Sequence, residues 1–358
     1  MNFDYITGGK MYFSSDIPKY EYQDDDGSYA FSTARCSLSC SGYTVFSTDI
    51  YYNPVEHVFR LDLRGIISSY MQSKSLSFAE FTVTLDIPET LRIIDTVMFS
   101  VVFYRGYILQ DPETYLRTHF LNDQDVVAVP QHFSAILSLY AFSDSEVLDL
   151  YIRPVGRSCR ILCQTLMLSS GLNRIVFSLD QLLEESADDI PAGTIPGFVI
   201  AEAGDRSLVF AIRSHRQAFA MIYLNGFNLP ECFWSFGSWK RKSSSKAETA
   251  KVDGQALAYA ISHEDTFELK SHPMNARAMF SGFNFIGRTP AQLMLFLGRE
   301  AFLFEVALTE FSCDNDPFSD ELSVVELKAD VSRPLGHQRF CSDDSIRIFT
   351  NHFNLSFQ

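Results

Sequence analysis

The chain has 358 residues, 46% hydrophobic and 20% charged, with 29 basic against 44 acidic side chains and a net charge of −15. That composition is globular and long enough for two or three domains with cores of their own, and it is acidic enough to exclude nucleic-acid backbones and anionic lipid as primary partners. The 32 Phe and 16 Tyr favour strands, because aromatic rings fit a pleated, half-buried surface.

The N-terminus, "MNFDYITGGKMYFSSDIPKY", has no basic n-region, no continuous apolar stretch and no small-residue cleavage site, so synthesis in the cytoplasm without a signal peptide is expected. No window approaches the roughly 18 to 20 apolar residues of a membrane span, so no membrane insertion is expected. Asp24, Asp25 and Asp26, followed by Gly27, read as a polar turn in preference to a calcium loop, as do Asp314, Asp316 and Asp320.

In the first third, "YAFSTARCSLSC", "YTVFSTDIYY", "HVFRLDLRGII", "FAEFTVTLDI" and "DTVMFSVVFYRGYIL" alternate apolar and polar residues between Gly, Ser, Asn and Pro clusters. Short antiparallel strands at this spacing predict a sandwich over 1–118, with Asp62 and Arg64 on its solvent face. Cys36 and Cys40, and later Cys159 and Cys163, are four apart and on a strand would share a face, as buried thiols rather than zinc ligands. The pattern loosens over 119–133, read as a linker, and resumes in "SAILSLYAF", "EVLDLYIRPV" and "CRILCQTLML" as a second, smaller sandwich over 134–214. Asn173–Glu185, "NRIVFSLDQLLEE", echoes "HVFRLDLRGII" in shape.

The remainder, 215–358, reads as a β-rich domain. Asn225, Gly226, Asn228 and Pro230 supply the backbone for a tight connection between "FAMIYL" and "ECFWSFG". The tract Ser238–Lys251 carries Lys240, Arg241, Lys242, Lys246 and Lys251 against Glu248 alone, a local +4 that reads as a solvated loop or as a loop contacting a partner subunit. In "TPAQLMLFLGRE", Thr289 as cap, Pro290 at the first turn and Leu293, Phe296 and Leu297 on one face predict a short helix. The fold class is therefore mainly β: tandem antiparallel β-sandwich modules, jelly-roll or immunoglobulin-like, with a C-terminal β-rich region carrying a short helix.

The sequence lacks a phosphate-cradling Gly loop, a nucleophile-elbow pentapeptide and a His-Glu-x-x-His helix, and its eight histidines form no i, i+4 pair on a credible helix. No catalytic residue, metal ligand or cofactor is expected. Trp234 and Trp239 are the only tryptophans. In a strand, Trp234 shares a face with Phe236, which suits the sheet core or, alternatively, a platform for stacking sugar rings.

The stretch "AMIYLNGFNLPECFWSFG", with "THFLNDQDVVAVPQHFSAILSLYA" before it and "ARAMFSGFNFIGRTPAQLMLFLGREAFLFEVAL" after it, resembles uncharacterised phage and prophage tail-associated proteins of anaerobic gut bacteria. The resemblance covers most of the chain in order of elements and departs at the basic tract after Trp239. It implies a non-enzymatic, virion-associated structural component of a tail-like assembly, partnered by copies of itself and by neighbouring tail proteins. The interface residues expected on that reading are Asn225, Pro230, Lys240, Arg241 and Lys242. The alternative is a glycan-binding, receptor-contacting protein using Trp234 and Trp239; a β-sandwich hydrolase is a third reading, with no acid-base pair to support it.

Overall fold

The computed structural model describes residues 5–339 except 26, 30–32, 91, 132, 192, 214–216, 253–254, 274–290, 298–299, 314–321 and 323. It is mainly β, built from several separate sheets. The chain forms two compact units: residues 1–118 with Gly226–Leu229, and 119–225 with 230–358.

The first unit contains β1 (Met11–Phe13), β2 (Tyr20–Gln23), β3 (Thr33–Cys40), β4 (Tyr43–Tyr51), β5 (Val58–Leu61), α1 (Arg64–Ser73), β6 (Phe78–Ile87), β7 (Arg92–Val102) and α2 (Pro112–Thr118). A five-stranded sheet runs β1-β7-β6-β3-β4, with β1 parallel to β7 and the other pairs antiparallel. Alternation decides which face is buried: Cys36 and Leu38 on β3 and Phe81, Val83 and Leu85 on β6 point inward, while Ser37, Thr82 and Thr84 point away. The β2-β5 ribbon and α1 contribute Tyr20, Phe59, Ile67 and Met71 to the same core. Cys36 and Cys40 share the buried face, and burial, with Asp86 and Asp95 nearby, pushes the Cys36 thiol up to about 12, so it stays protonated.

The run "HVFRLDLRGII" is strand only as far as Leu61. The Asp62 carboxylate accepts the Arg64 N–H, and a helix follows, with Ile67 and Met71 one turn apart on its buried stripe. Asp62 and Arg64 are both exposed. Asp24 is a turn former, its carbonyl and carboxylate accepting the Gly27 and Tyr29 N–H groups; Asp26 lies outside the described residues.

The second unit contains β8 (Val126–Pro130), β9 (Ser134–Ala141), β10 (Val147–Pro154), β11 (Ile161–Met167), β12 (Gly171–Ser178), α3 (Leu179–Glu185), β13 (Pro196–Ala203), β14 (Arg206–Arg213), β15 (Gln217–Leu224), β16 (Pro230–Ser235), β17 (Ser238–Val252), β18 (Gln255–Lys270), β19 (Ala291–Leu297), β20 (Glu300–Cys313) and β21 (Val325–Arg339). Residues 119–133 include β8, which pairs parallel with β14 at the end of the sheet β11-β10-β13-β14-β8. The inner face of that sheet, with Leu150, Ile152, Val199 and Phe210, packs with the β12-β9 pair and with Ala218, Ala220, Ile222, Cys232 and Trp234 from β15 and β16 in one core. Asn173–Glu185 crosses from strand into helix at Ser178, whose hydroxyl accepts the Gln181 N–H as an N-cap. Its echo of "HVFRLDLRGII" is thus a shared strand-to-helix step.

The third sheet has seven strands in the order β16-β15-β19-β20-β21-β18-β17. Here the predicted helix gives way to β19, hydrogen-bonded to β15 on one side and β20 on the other. Leu293 and Leu295 are both buried, the two-residue period of a strand. Because every residue from Leu293 to Leu297 is apolar, the run also satisfied a helical face, and periodicity alone does not separate a short buried strand from a helix. Thr289, Pro290, Asp314, Asp316 and Asp320 lie outside the described residues.

Candidate protein-protein interface

β15 is buried on both faces. Its even positions Ala218, Ala220 and Ile222 face the sandwich core, and its odd positions Phe219, Met221 and Tyr223 join Phe233, Phe267, Leu295 and Leu327 in a second core on the opposite face of the sheet. Asn225 and Pro230 flank the connection from β15 to β16, and both are buried. Pro230 is the first residue of an edge strand, where a missing N–H removes no ladder bond.

The Asn225 side-chain amide donates to the Leu121 carbonyl and to Glu231 Oε2, both at 2.8 Å. Glu231 Oε2 also accepts the Asp123 N–H at 2.8 Å, and the Tyr223 hydroxyl donates to Asp123 Oδ2 at 3.2 Å. Burial pushes the Glu231 carboxyl up to about 7, against donors from Asn225, the Asp123 backbone and Asn122 that hold it down. Glu231 is 4% exposed. Its only mark in the sequence is a single carboxylate within "LPECFWSF".

Trp234 is 3% exposed and belongs to the sandwich core, so it offers no ring face to a sugar. Trp239 lies on the other core, edge-on to Phe267 with ring centroids 6.3 Å apart. The two rings thus serve two different cores and form no common platform.

The stretch Ser238–Lys251 is not a loop. It is most of β17, paired residue for residue with β18 through one bulge at Ala247/Glu248. Asp253-Gly254, a strong hairpin signal, joins the two strands in sequence. Nor is the hairpin basic: from Lys240 to Glu268, Lys240, Arg241, Lys242, Lys246 and Lys251 are balanced by Glu248, Asp253, Glu264, Asp265 and Glu268. Arg241 pairs with Asp265 at 2.6 Å, and Lys242 pairs with Glu268.

Lys240 begins a row of alternating charge across four strands, Lys240↔Glu268↔Lys328↔Glu310. One row along, Lys270 pairs with Glu326. The Lys242 ammonium holds Glu268 below the usual carboxylate range, and Glu310 and Glu326 hold Lys328 and Lys270 above the usual lysine range. Each charge has an opposite neighbour across the strand, the arrangement that stabilises a solvated sheet face.

Past Thr266 the hairpin leaves the sheet. β21 pairs with β18 over Thr266–Lys270, and the next ten residue pairs, Ser243↔Asp265 to Val252↔Gln255, have no third strand among the described residues. Ten pairs make a ribbon about 30 Å long. Ser243, Ser244 and Ser245 are all exposed, so both faces of the ribbon meet solvent there.

No protein-family model matches the sequence, and no curated protein is similar to it. Among solved structures, the plexin A4 full extracellular region aligns over 92% of this chain and 39% of its own length, at 7% identity and a TM-score of 0.19. A superposition that poor transfers neither fold nor function. Among the described residues no helix is long and apolar enough to cross a membrane.

Proposed function

We propose that this chain is a non-enzymatic building block of a larger protein assembly, with the phage or prophage tail setting taken from its sequence resemblance. The observation that carries the reading is the β17-β18 ribbon. An isolated two-stranded hairpin is at best marginally stable in water, and one this long, with no third strand beside it among the described residues, gains most by adding a neighbour's strand. Charge supports the same reading. Across β17 and β18, Ser238–Lys270, six basic side chains meet five acidic ones, a net +1 in a chain of −15, so copies approaching through the hairpin meet less repulsion than the rest of the surface would impose.

The test replaces Ser243–Asp265 by an Asn-Gly turn joining Lys242 to Thr266, and compares mass by light scattering across concentration. The full-length chain is expected to form a discrete symmetric species, and the shortened one to keep its melting temperature and fall to a monomer. Equal masses for the two proteins, or a full-length chain monomeric at every concentration, would overturn the ribbon as a self-assembly element.

A further inference from the structure

The first unit holds an open groove of about 580 Å³, within the size range of small-molecule sites. Its floor is apolar, with Tyr12, Phe13 and Ile17 at 4%, 2% and 1% exposure. On its walls two tyrosines stand out: Tyr5 is 41% and Tyr107 63% exposed. The lining also holds both donors and acceptors, Lys19 and Arg64 together with Asp16 and Asp111.

Charge bookkeeping selects the class of ligand. The three lining cations, Lys19, Arg60 and Arg64, are more than matched in number by Asp16 and Asp111 together with the carboxylates that pair with the two arginines. Arg60 binds Glu21 at 2.6 Å and Glu56 at 2.8 Å, and Arg64 lies 3.6 Å from Asp62. An anion would find these guanidiniums occupied. The Arg60 guanidinium also sits 5.9 Å from the Tyr5 ring centroid, which fixes that ring as part of the wall. Strand addition is disfavoured as well, because β1, the sheet edge lining the groove, is only three residues long.

We propose that this groove binds a neutral oligosaccharide. Such a ligand carries apolar C–H faces suited to exposed tyrosine rings, and each hydroxyl both donates and accepts, matching walls that offer both. The site shares no residue with the ribbon, and the proposal does not rest on the assembly reading.

The experiment is calorimetric titration of the full chain with neutral tri- to hexasaccharides of glucose, galactose, mannose and N-acetylglucosamine, and with uronic-acid and sulfated oligosaccharides as the anionic arm. At least one neutral sugar is expected to bind with Kd of about 1 mM or tighter. Tyr107→Ala and Arg64→Ala, both at exposed positions, are expected to weaken it about tenfold or more with the melting temperature unchanged, and Trp239→Ala to leave it as it was. Absence of binding by every neutral sugar, binding by the anionic arm alone, or undiminished affinity in both groove variants would each overturn the assignment.

Discussion

Asn225 and Glu231, six residues apart around the connection from β15 to β16, are joined by a 2.8 Å hydrogen bond in a site where both are nearly inaccessible to water. The same carboxylate accepts the Asp123 N–H while the Asn225 amide donates to the Leu121 carbonyl, so the two side chains together tie Leu121–Asp123 to both ends of the connection. The other titratable groups around it are Asp123, Tyr223 and Cys232, and burial raises the latter two well above their usual ranges.

This carboxyl predicts an inverted pH dependence. Its folded pKa of about 7 lies above the ordinary carboxyl value of 4.5, so the folded chain keeps a proton that the unfolded chain releases between those values. Stability from this group is therefore present below about pH 4.5 and is lost as pH rises toward 7. Melting curves from pH 5 to 8 are expected to show a falling contribution that Glu231→Gln abolishes. An unchanged pH slope in the variant would exclude Glu231 as its source.

Gly237 has no room for a side chain: a Cβ there would overlap the Lys270 carbonyl where the end of β16 passes the end of β18. The same crossing is held by Ser235, whose hydroxyl accepts the His272 N–H at 3.1 Å. Gly237→Ala is expected to destabilise the chain by about 3 kcal/mol or more, because the obstacle is backbone and cannot rotate away. Denaturant unfolding of the variant measures it.

Trp234→Ala opens a cavity in a core shared by the β10-β13-β14 face and β15-β16, and is expected to cost about 3–5 kcal/mol. Trp239, only partly buried, is expected to cost clearly less on the same substitution. Thermal denaturation of the two variants side by side decides the order.

Lys328 stands between Glu268 and Glu310 in the charged row, so Lys328→Glu places three carboxylates in register. The melting temperature is expected to fall at low salt and largely to recover at about 0.5 M, where the Debye length is only a few ångströms. A drop that salt leaves untouched would point to backbone disruption instead of charge.

The β character was legible because alternation in β3 and β6 reports a sheet with one wet face, and "TARCSLSC" and "FAEFTVTLDI" carry it residue by residue. β19 was not, because an unbroken apolar run from Leu293 to Leu297 has no alternation to show. β17 was missed for a different reason: its consecutive residues Lys240–Ser245 all meet water, and only the register with β18 makes the stretch a strand. Glu231 left almost no signal, since burial of a lone carboxylate depends on Leu121–Asp123, about a hundred residues earlier in the chain. The likeness between "HVFRLDLRGII" and "NRIVFSLDQLLEE" was visible in sequence, but its meaning as strand followed by helix depended on a local turn at Asp62 and an N-cap at Ser178.

Gly226–Leu229 belongs to the first unit although more than a hundred residues separate it from Thr118. Phe227, 1% exposed, packs its ring 4.6 Å from that of Tyr104, the Gly226 carbonyl accepts the Arg105 N–H at 2.9 Å, and the Asn228 amide donates to the Leu76 carbonyl at 3.2 Å. A ribosome that has released residue 118 has therefore not yet supplied everything this unit is made of. Its completion waits for residue 229, so the N-terminal part of the chain matures only when the middle of the chain has been made, and a fragment ending at Thr118 would need those four residues added back as a peptide.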